Sequence, residues 1–180
     1  MLDPRETLLT VVDVQERLVP HIHGNEELVR SIRKLILGCG ILGVPVVATE
    51  QYVKGLGPTV EPIRAALGRS VPMEKMSFSC MQHDAFRALL EPLERRSILL
   101  CGIEAHVCVH QTAMDMKDAG YDVQIVGDAV SSRFPLNREI AFKRFQQEGI
   151  RLTTVETAVF EMLKLCGTEP FREWLKVLKD

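Results

Sequence analysis

Ser97-Ile98-Leu99-Leu100-Cys101-Gly102-Ile103-Glu104-Ala105-His106-Val107-Cys108 decides how this chain is read. The apolar run from Ile98 to Ile103 has the length of a strand buried on both faces, and it stops at a short polar turn. A helical pattern takes over at His106 and runs to Ala119, closed by Gly120. A buried strand that passes through a turn into a helix puts the turn at the carboxyl edge of a sheet, where open α/β folds bind ligands. Cys108 stands there, beside helix N-terminal N–H groups that favour thiolate over thiol.

The same alternation continues on both sides. Leu8 to Val12 is a first strand, stopping at Asp13. Asn25 to Leu42 carries Leu28, Ile32, Leu35, Ile36 and Cys39 at helical spacing, with Asn25 as a cap and Gly43 as the stop. Val44 to Thr49 is a second strand, and Glu50 to Pro58 is too rich in breakers for an element. A short helix from Val60 to Leu67 leads to a third, weaker strand over Val71 to Met76 that carries Lys75. Helix Gln82 to Leu90 precedes the fourth strand, Ser97 to Ile103. Tyr121 to Val126 and Ile150 to Val155 are further strands around a helix from Asn137 to Glu148. Helices Thr157 to Leu165 and Glu169 to Leu178 close the chain. The pattern predicts an α/β three-layer αβα sandwich with a doubly wound parallel six-stranded sheet of order 3-2-1-4-5-6, in a single domain over residues 1–180. Strands one and four are then neighbours, so Asp13 and Cys108 share one crevice.

Bulk composition narrows the function classes. The chain of 180 residues is 46% hydrophobic and 26% charged, an ordinary globular balance. A net charge of -2 gives no basic footprint for nucleic acid or for an acidic lipid surface. The five cysteines are odd in number and widely spaced, which fits a reducing compartment without a disulfide framework. The first residues lack a signal-type pattern and no apolar run has membrane-spanning length, so a cytoplasmic location is expected.

Cys108 needs a base to act as a nucleophile at neutral pH. Asp13 can take that proton if it lies within hydrogen-bond reach, and Lys75 at a third strand end would hold Asp13 ionised and stabilise developing negative charge. Each residue alone also has a plain structural reading: Cys108 as a small core residue, Asp13 as a turn residue, Lys75 as a solvated charge. Their joint placement at three strand ends favours chemistry.

Val11-Val12-Asp13-Val14-Gln15, Lys75-Met76-Ser77-Phe78-Ser79 and Gly102-Ile103-Glu104-Ala105-His106-Val107-Cys108-Val109, in that order, resemble the three signatures of the isochorismatase-like (cysteine) hydrolase superfamily. The turn Glu104 to Val107 and the loop Thr49 to Tyr52 are most similar to its isochorismatase domain-containing branch. The resemblance implies an Asp-Lys-Cys triad on Asp13, Lys75 and Cys108. It also implies a cis Ile103–Glu104 peptide and an oxyanion hole from the N–H groups of Glu104 and Cys108. Nicotinamidase-type members carry an Asp-x-His metal motif after strand two. This chain has Glu50-Gln51-Tyr52 there, so neither metal nor other cofactor is expected.

Secondary candidates have competing readings. Gln51, Tyr52, Phe78, His106 and Arg133 are expected around a substrate pocket, Arg133 as a carboxylate holder; loop packing, core burial and solvation are the alternatives. His110 can line the pocket or pack. His21 and His23 form a His-x-His pair without a third ligand and read as solvated or capping residues. Cys39, Cys80, Cys101 and Cys166 read as structural, and Met73, Met76, Met114 and Met116 as filler.

The expected function is a metal-independent cysteine hydrolase of a small amide, carbamoyl or related substrate, acting through a thioacyl-enzyme. Isochorismate cleavage is a vinyl-ether hydrolysis that needs no cysteine nucleophile in the superfamily, so Cys108 points to acyl chemistry. The alternative is a non-catalytic oligomeric binding or scaffold protein that keeps the fold. Thiol redox chemistry lacks an obvious resolving cysteine, and no nucleotide-binding glycine loop follows strand one. Small-molecule substrate, no nucleic acid, no membrane and a homo-oligomer of two or more copies complete the expectation, the last from the apolar closing helices and Trp174.

Overall fold

In the computed structural model, which describes residues 1–179, the sheet has six strands in the order 3-2-1-4-5-6. They are β1 (Thr7–Val12), β2 (Val46–Gln51), β3 (Met73–Lys75), β4 (Ser97–Ile103), β5 (Asp122–Ser131) and β6 (Arg151–Thr153), every adjacent pair parallel. The helices are α1 (Asn25–Ile41), α2 (Val53–Leu56), α3 (Glu61–Leu67), α4 (Asp84–Leu90), α5 (Cys108–Asp118), α6 (Pro135–Gln147), α7 (Val155–Leu163) and α8 (Glu169–Lys179). Strands β1 and β4 are adjacent at the point where the chain reverses its winding, and both are buried almost throughout. That burial on both faces is why they read as continuous apolar runs rather than alternating ones.

Helix α1 presents Leu28, Ile32, Leu35, Ile36 and Cys39 to the core, the stripe its spacing predicts. Its cap differs from expectation. Gly24 at φ +64° caps it, and Asn25 lies inside the helix with its amide donating to Val19 O at 3.1 Å. Helix α8 seats Trp174, fully buried, against α1 at Gly38. A Cβ on Gly38 would stand 2.8 Å from Val159 and 3.1 Å from the indole ring. Trp174 is therefore core, and it offers no surface for self-association. Exposed apolar side chains sit elsewhere: Phe134, Leu136 and Ile140 lie at or near the start of α6.

Two strands run further than their sequence suggests. Glu50 and Gln51 belong to β2 because β3 pairs with them, Glu50 opposite Glu74 and Gln51 opposite Lys75. The expected loop then holds a one-turn helix, α2, begun by Tyr52 at φ +38°. Strand β5 continues through Gly127-Asp128-Ala129 to Ser131. Its first half pairs with β6, and its second half follows β4 to Ile103 after a register shift between Leu100 and Gly102. Both extensions lie at the carboxyl edge and carry polar residues there, which hides them from a hydrophobic-run reading. No helix among the described residues is long and apolar enough to cross a membrane.

Candidate active site

Three strand ends meet at the carboxyl edge. Asp13 follows β1 at φ +54°, a conformation that Asp tolerates better than most side chains. Lys75 is the last residue of β3, and Cys108 is the first of α5. Lys75 Nζ donates to Asp13 Oδ2 at 2.7 Å, with both side chains essentially sealed from solvent. Lys75 Nζ also faces Gln51 Oε1 at 2.8 Å, Ser77 O at 3.1 Å and Phe78 O at 3.2 Å. An ammonium has three hydrogens, so these four oxygens engage all of it. Lys75 thus has no free N–H for a bound molecule, and its charge acts through Asp13.

The pair is held by polar side chains from β2 and from the segment after β1. Thr49 Oγ1 donates to Asp13 Oδ1 at 2.7 Å. Buried Gln15 accepts Gln51 N–H at 2.7 Å and donates to Gln51 O at 3.0 Å and Gly57 O at 2.6 Å. The Gln51 amide in turn donates to Met76 O at 2.8 Å. Asp13, Thr49, Gln51, Lys75 and Gln15 therefore form one network across three adjacent strand ends, its buried polar groups mutually satisfied. Replacing one member is costly. Lys75→Met leaves the Asp13 carboxylate buried beside a thioether and is expected to destabilise the fold by about 3–5 kcal/mol. Chemical denaturation checks this, and Asp13→Asn in the same chain should recover much of the loss; a single variant as stable as the parent would refute it.

Cys108 is 8% exposed. Burial pushes its thiol far above the usual cysteine range, the Asp13 carboxylate pushes it further, and Lys75 pulls it back. The helix N-terminus was expected to favour thiolate; burial outweighs it, and the resting residue is a thiol. The turn ahead of it is tied down around the cis Ile103–Glu104 peptide. Ala105 N–H donates to Ser131 O at 2.9 Å, and those of Val107 and Val109 donate to Glu104 O at 3.1 and 3.2 Å. Among the described residues the N–H groups of Glu104 and Cys108 have no acceptor. Cys108 opens α5, so its N–H lacks an intrahelical partner for a geometric reason.

The remaining predicted residues divide. Glu104 is nearly buried, and its carboxylate accepts Arg133 N–H at 2.9 Å and Arg133 Nε at 3.1 Å. The Arg133 Nε is engaged in that ion pair, an alternative to the substrate-carboxylate role. His106 Nδ1 lies 3.0 Å from Ser132 Oγ, and Asn137 Nδ2 lies 3.2 Å from its Nε2. Gln51 serves Lys75, as above. Tyr52 folds its ring over Gly55, where a Cβ would fall 2.3 Å away, and its outer face borders an open cleft of about 570 Å³ with Glu74, Ser77, Gln82 and His83. Phe78 is 54% exposed rather than core, and Met76 is exposed too. Cys166 is exposed, while Cys39, Cys80 and Cys101 are buried. His21 and His23 are exposed, and no group of three or more His, Cys, Asp or Glu among the described residues is placed to hold a metal ion.

His110 packs against α6. It is 7% exposed, its ring stacks on Phe145 with centroids 5.6 Å apart, and its Nε2 has no partner among the described residues. Burial holds it below its ordinary value of 6.5, Arg144 adds to this, and Glu148 opposes it. A base with a lowered folded value binds its proton more readily in the unfolded chain, so its contribution to stability is complete above about 6.5 and is lost as pH falls below that. His110→Leu should flatten that part of the stability profile. Equal pH slopes for parent and variant below 6.5 would refute it.

Two polar residues of the network, Thr49 and Gln15, are not singled out by the sequence, and Cys80, read there as structural, lies against one of them. Thr49 closes an apolar run, Gln15 follows Asp13 by two positions, and Cys80 lies 3.7 Å from Thr49 Oγ1. For Thr49, a polar residue at the end of an apolar run was the available signal.

The sequence matches the Isochorismatase domain over residues 7–157. This chain belongs to the isochorismatase family. It is 39% identical to a secreted isochorismatase effector of Phytophthora sojae, over 99% of this chain and 87% of that protein. Among solved structures, a MAR1 ribonuclease from Caenorhabditis elegans superposes with a TM-score of 0.93 at 36% identity, covering 99% of this chain and 92% of that one. The YcaC gene product of Escherichia coli, described as an octameric hydrolase of unknown specificity, shares the fold at 20% identity with a TM-score of 0.88, covering 98% and 86%. The isochorismatase-family hydrolase fold thus places the three strand ends.

Proposed function

We propose that this isochorismatase-family chain is a metal-independent cysteine hydrolase of a small amide, carbamoyl or related substrate. The observation that carries the reading is the buried Lys75–Asp13 pair at 2.7 Å on the strand ends beside the thiol of Cys108. Since burial keeps Cys108 protonated, the reaction begins with transfer of its proton to Asp13. The thiolate attacks the substrate carbonyl carbon, and the N–H groups of Glu104 and Cys108 receive the oxyanion. Collapse of the tetrahedral adduct breaks the C–N bond, Asp13 returns the proton to the leaving nitrogen, and a thioester remains. Water, deprotonated by Asp13, then attacks the thioester, and the departing sulfur recovers that proton. Lys75 holds the Asp13 carboxylate oriented throughout.

The side chains that follow β2 are already engaged: Glu50 accepts from Thr59 N–H and hydroxyl at 2.6 and 2.7 Å, and Gln51 holds Lys75. That supports a site working without metal. The MAR1 ribonuclease relative raises RNA as a substrate class. A net charge of -2 and the pairing of Arg133 with Glu104 favour a small uncharged substrate instead. Exposed Phe134, Leu136 and Ile140, with the octameric YcaC fold neighbour, support self-association. The test is a panel of small amides and carbamoyl compounds against the parent chain and Cys108→Ala. Turnover by the parent that vanishes in the variant is expected, and turnover retained by the variant would overturn covalent catalysis.

A further inference from the structure

The Asp13 carboxylate is fixed at both oxygens, and the two donors differ in kind. Lys75 supplies charge at Oδ2, and the Thr49 hydroxyl supplies a hydrogen bond at Oδ1, each at 2.7 Å. Thr49 is 1% exposed, so no solvent competes for that hydroxyl. A hydroxyl has one hydrogen. With it committed to Asp13, the 3.7 Å contact of Thr49 Oγ1 with Cys80 Sγ runs with Cys80 as donor. Burial pushes the Cys80 thiol up to about 11, which keeps it a donor through the neutral range. Cys80 is itself anchored by its N–H to Thr112 Oγ1 on α5 at 3.0 Å. The result is a directed chain from Cys80 S–H to Thr49 O–H to Asp13, with each link polarising the next.

We propose that Thr49 is a positioning residue: its hydroxyl, donated to Asp13 Oδ1, fixes the carboxylate plane and governs the lowest pH at which Asp13 can take the Cys108 proton. This rests on the reading of Cys108 as nucleophile. The titratable and charged groups facing Asp13 are Lys75 from β3, Cys108 from α5 and Cys80 from the turn ahead of α4. In the step itself the Cys108 S–H bond breaks and an Asp13 O–H bond forms. Thr49 and Cys80 keep their own hydrogens. A hydrogen bond to a carboxylate favours its ionised form, so losing one lets the carboxyl keep a proton to higher pH.

The test uses iodoacetamide on the intact protein, with alkylation followed residue by residue by mass spectrometry from about pH 4 to about pH 9. Exposed Cys166 serves as the ordinary thiol in the same tube. In the parent, Asp13 takes the proton as the Cys108 thiol is alkylated, so the Cys108 rate should follow the carboxylate and its acid limb should lie below that of Cys166, which follows its own thiolate. Thr49→Val removes the hydroxyl at nearly constant shape and should move the Cys108 limb up by about one pH unit. Thr49→Ser should restore it. Thr49→Ala carries the same expectation as Thr49→Val should valine pack poorly. A limb unmoved in folded Thr49→Val or Thr49→Ala overturns the role of Thr49 and leaves the nucleophile reading intact. A parent whose Cys108 reacts no faster than Cys166, with no separate limb, overturns the nucleophile reading and the role of Thr49 with it.

Discussion

Cys108→Ala should lose turnover of any amide or carbamoyl substrate by about a thousandfold or more while keeping the fold. The expected loss is large because the reaction has no second route to a covalent intermediate here. Lys75 is saturated by its four oxygens, and Asp13 is held at both of its own, so neither offers a nucleophile to the carbonyl. Residues that act as one unit fail together, and Asp13→Asn should cost a similar factor rather than an additive one. Stability is expected to change by less than about 1 kcal/mol, since alanine keeps the helix start and removes only a sulfur. Parallel thermal melts and steady-state rates check both halves. A variant with even a tenth of parental turnover would assign the chemistry to another group.

Gly102→Ala should give no folded protein. Gly102 sits opposite Val12 where β4 pairs with β1, at φ +115°. A Cβ there would fall 2.1 Å from Val12 O and 2.6 Å from Val12 N, inside backbone that is also paired with Thr49 of β2. Neither strand can yield without breaking the centre of the sheet, and a loss beyond about 4–5 kcal/mol exceeds the usual range for point changes. Gly149→Ala is the control. Its φ is +73°, but a Cβ there meets nothing within 4 Å, so only the left-handed backbone is penalised, by about 1 kcal/mol. Soluble yield and circular dichroism separate the two. A Gly102→Ala protein melting within a few degrees of the parent would refute the close-approach argument.

Much of this site was legible because its parts end buried strands. An apolar run stops where the chain leaves the sheet, so Asp13 and Cys108 announce the edge by position alone, and the crossover rule makes β1 and β4 neighbours. Polar residues inside the edge were harder to read. Thr49 reads only as the end of an apolar strand, and Gln51 and Gln15 as loop residues; all three count as network members only through partners 24 to 36 positions away. The state of the thiol went against a local argument. A helix N-terminus acts on Cys108 from one side, while burial acts from all sides and prevails.

By itself, then, the sequence determined the parallel doubly wound sheet, its strand order and the edge at which the chemistry-bearing residues collect. Those follow from hydrophobic runs, helical spacing and handedness, which are properties of consecutive residues. Only the tertiary structure decided what each side chain at that edge touches. It paired Arg133 with Glu104, folded Tyr52 onto Gly55 and saturated Lys75, and away from that edge it buried Trp174 in the core. Hydrogen bonds at this edge join residues far apart in the chain and depend on distances of a few tenths of an ångström, which no local pattern encodes.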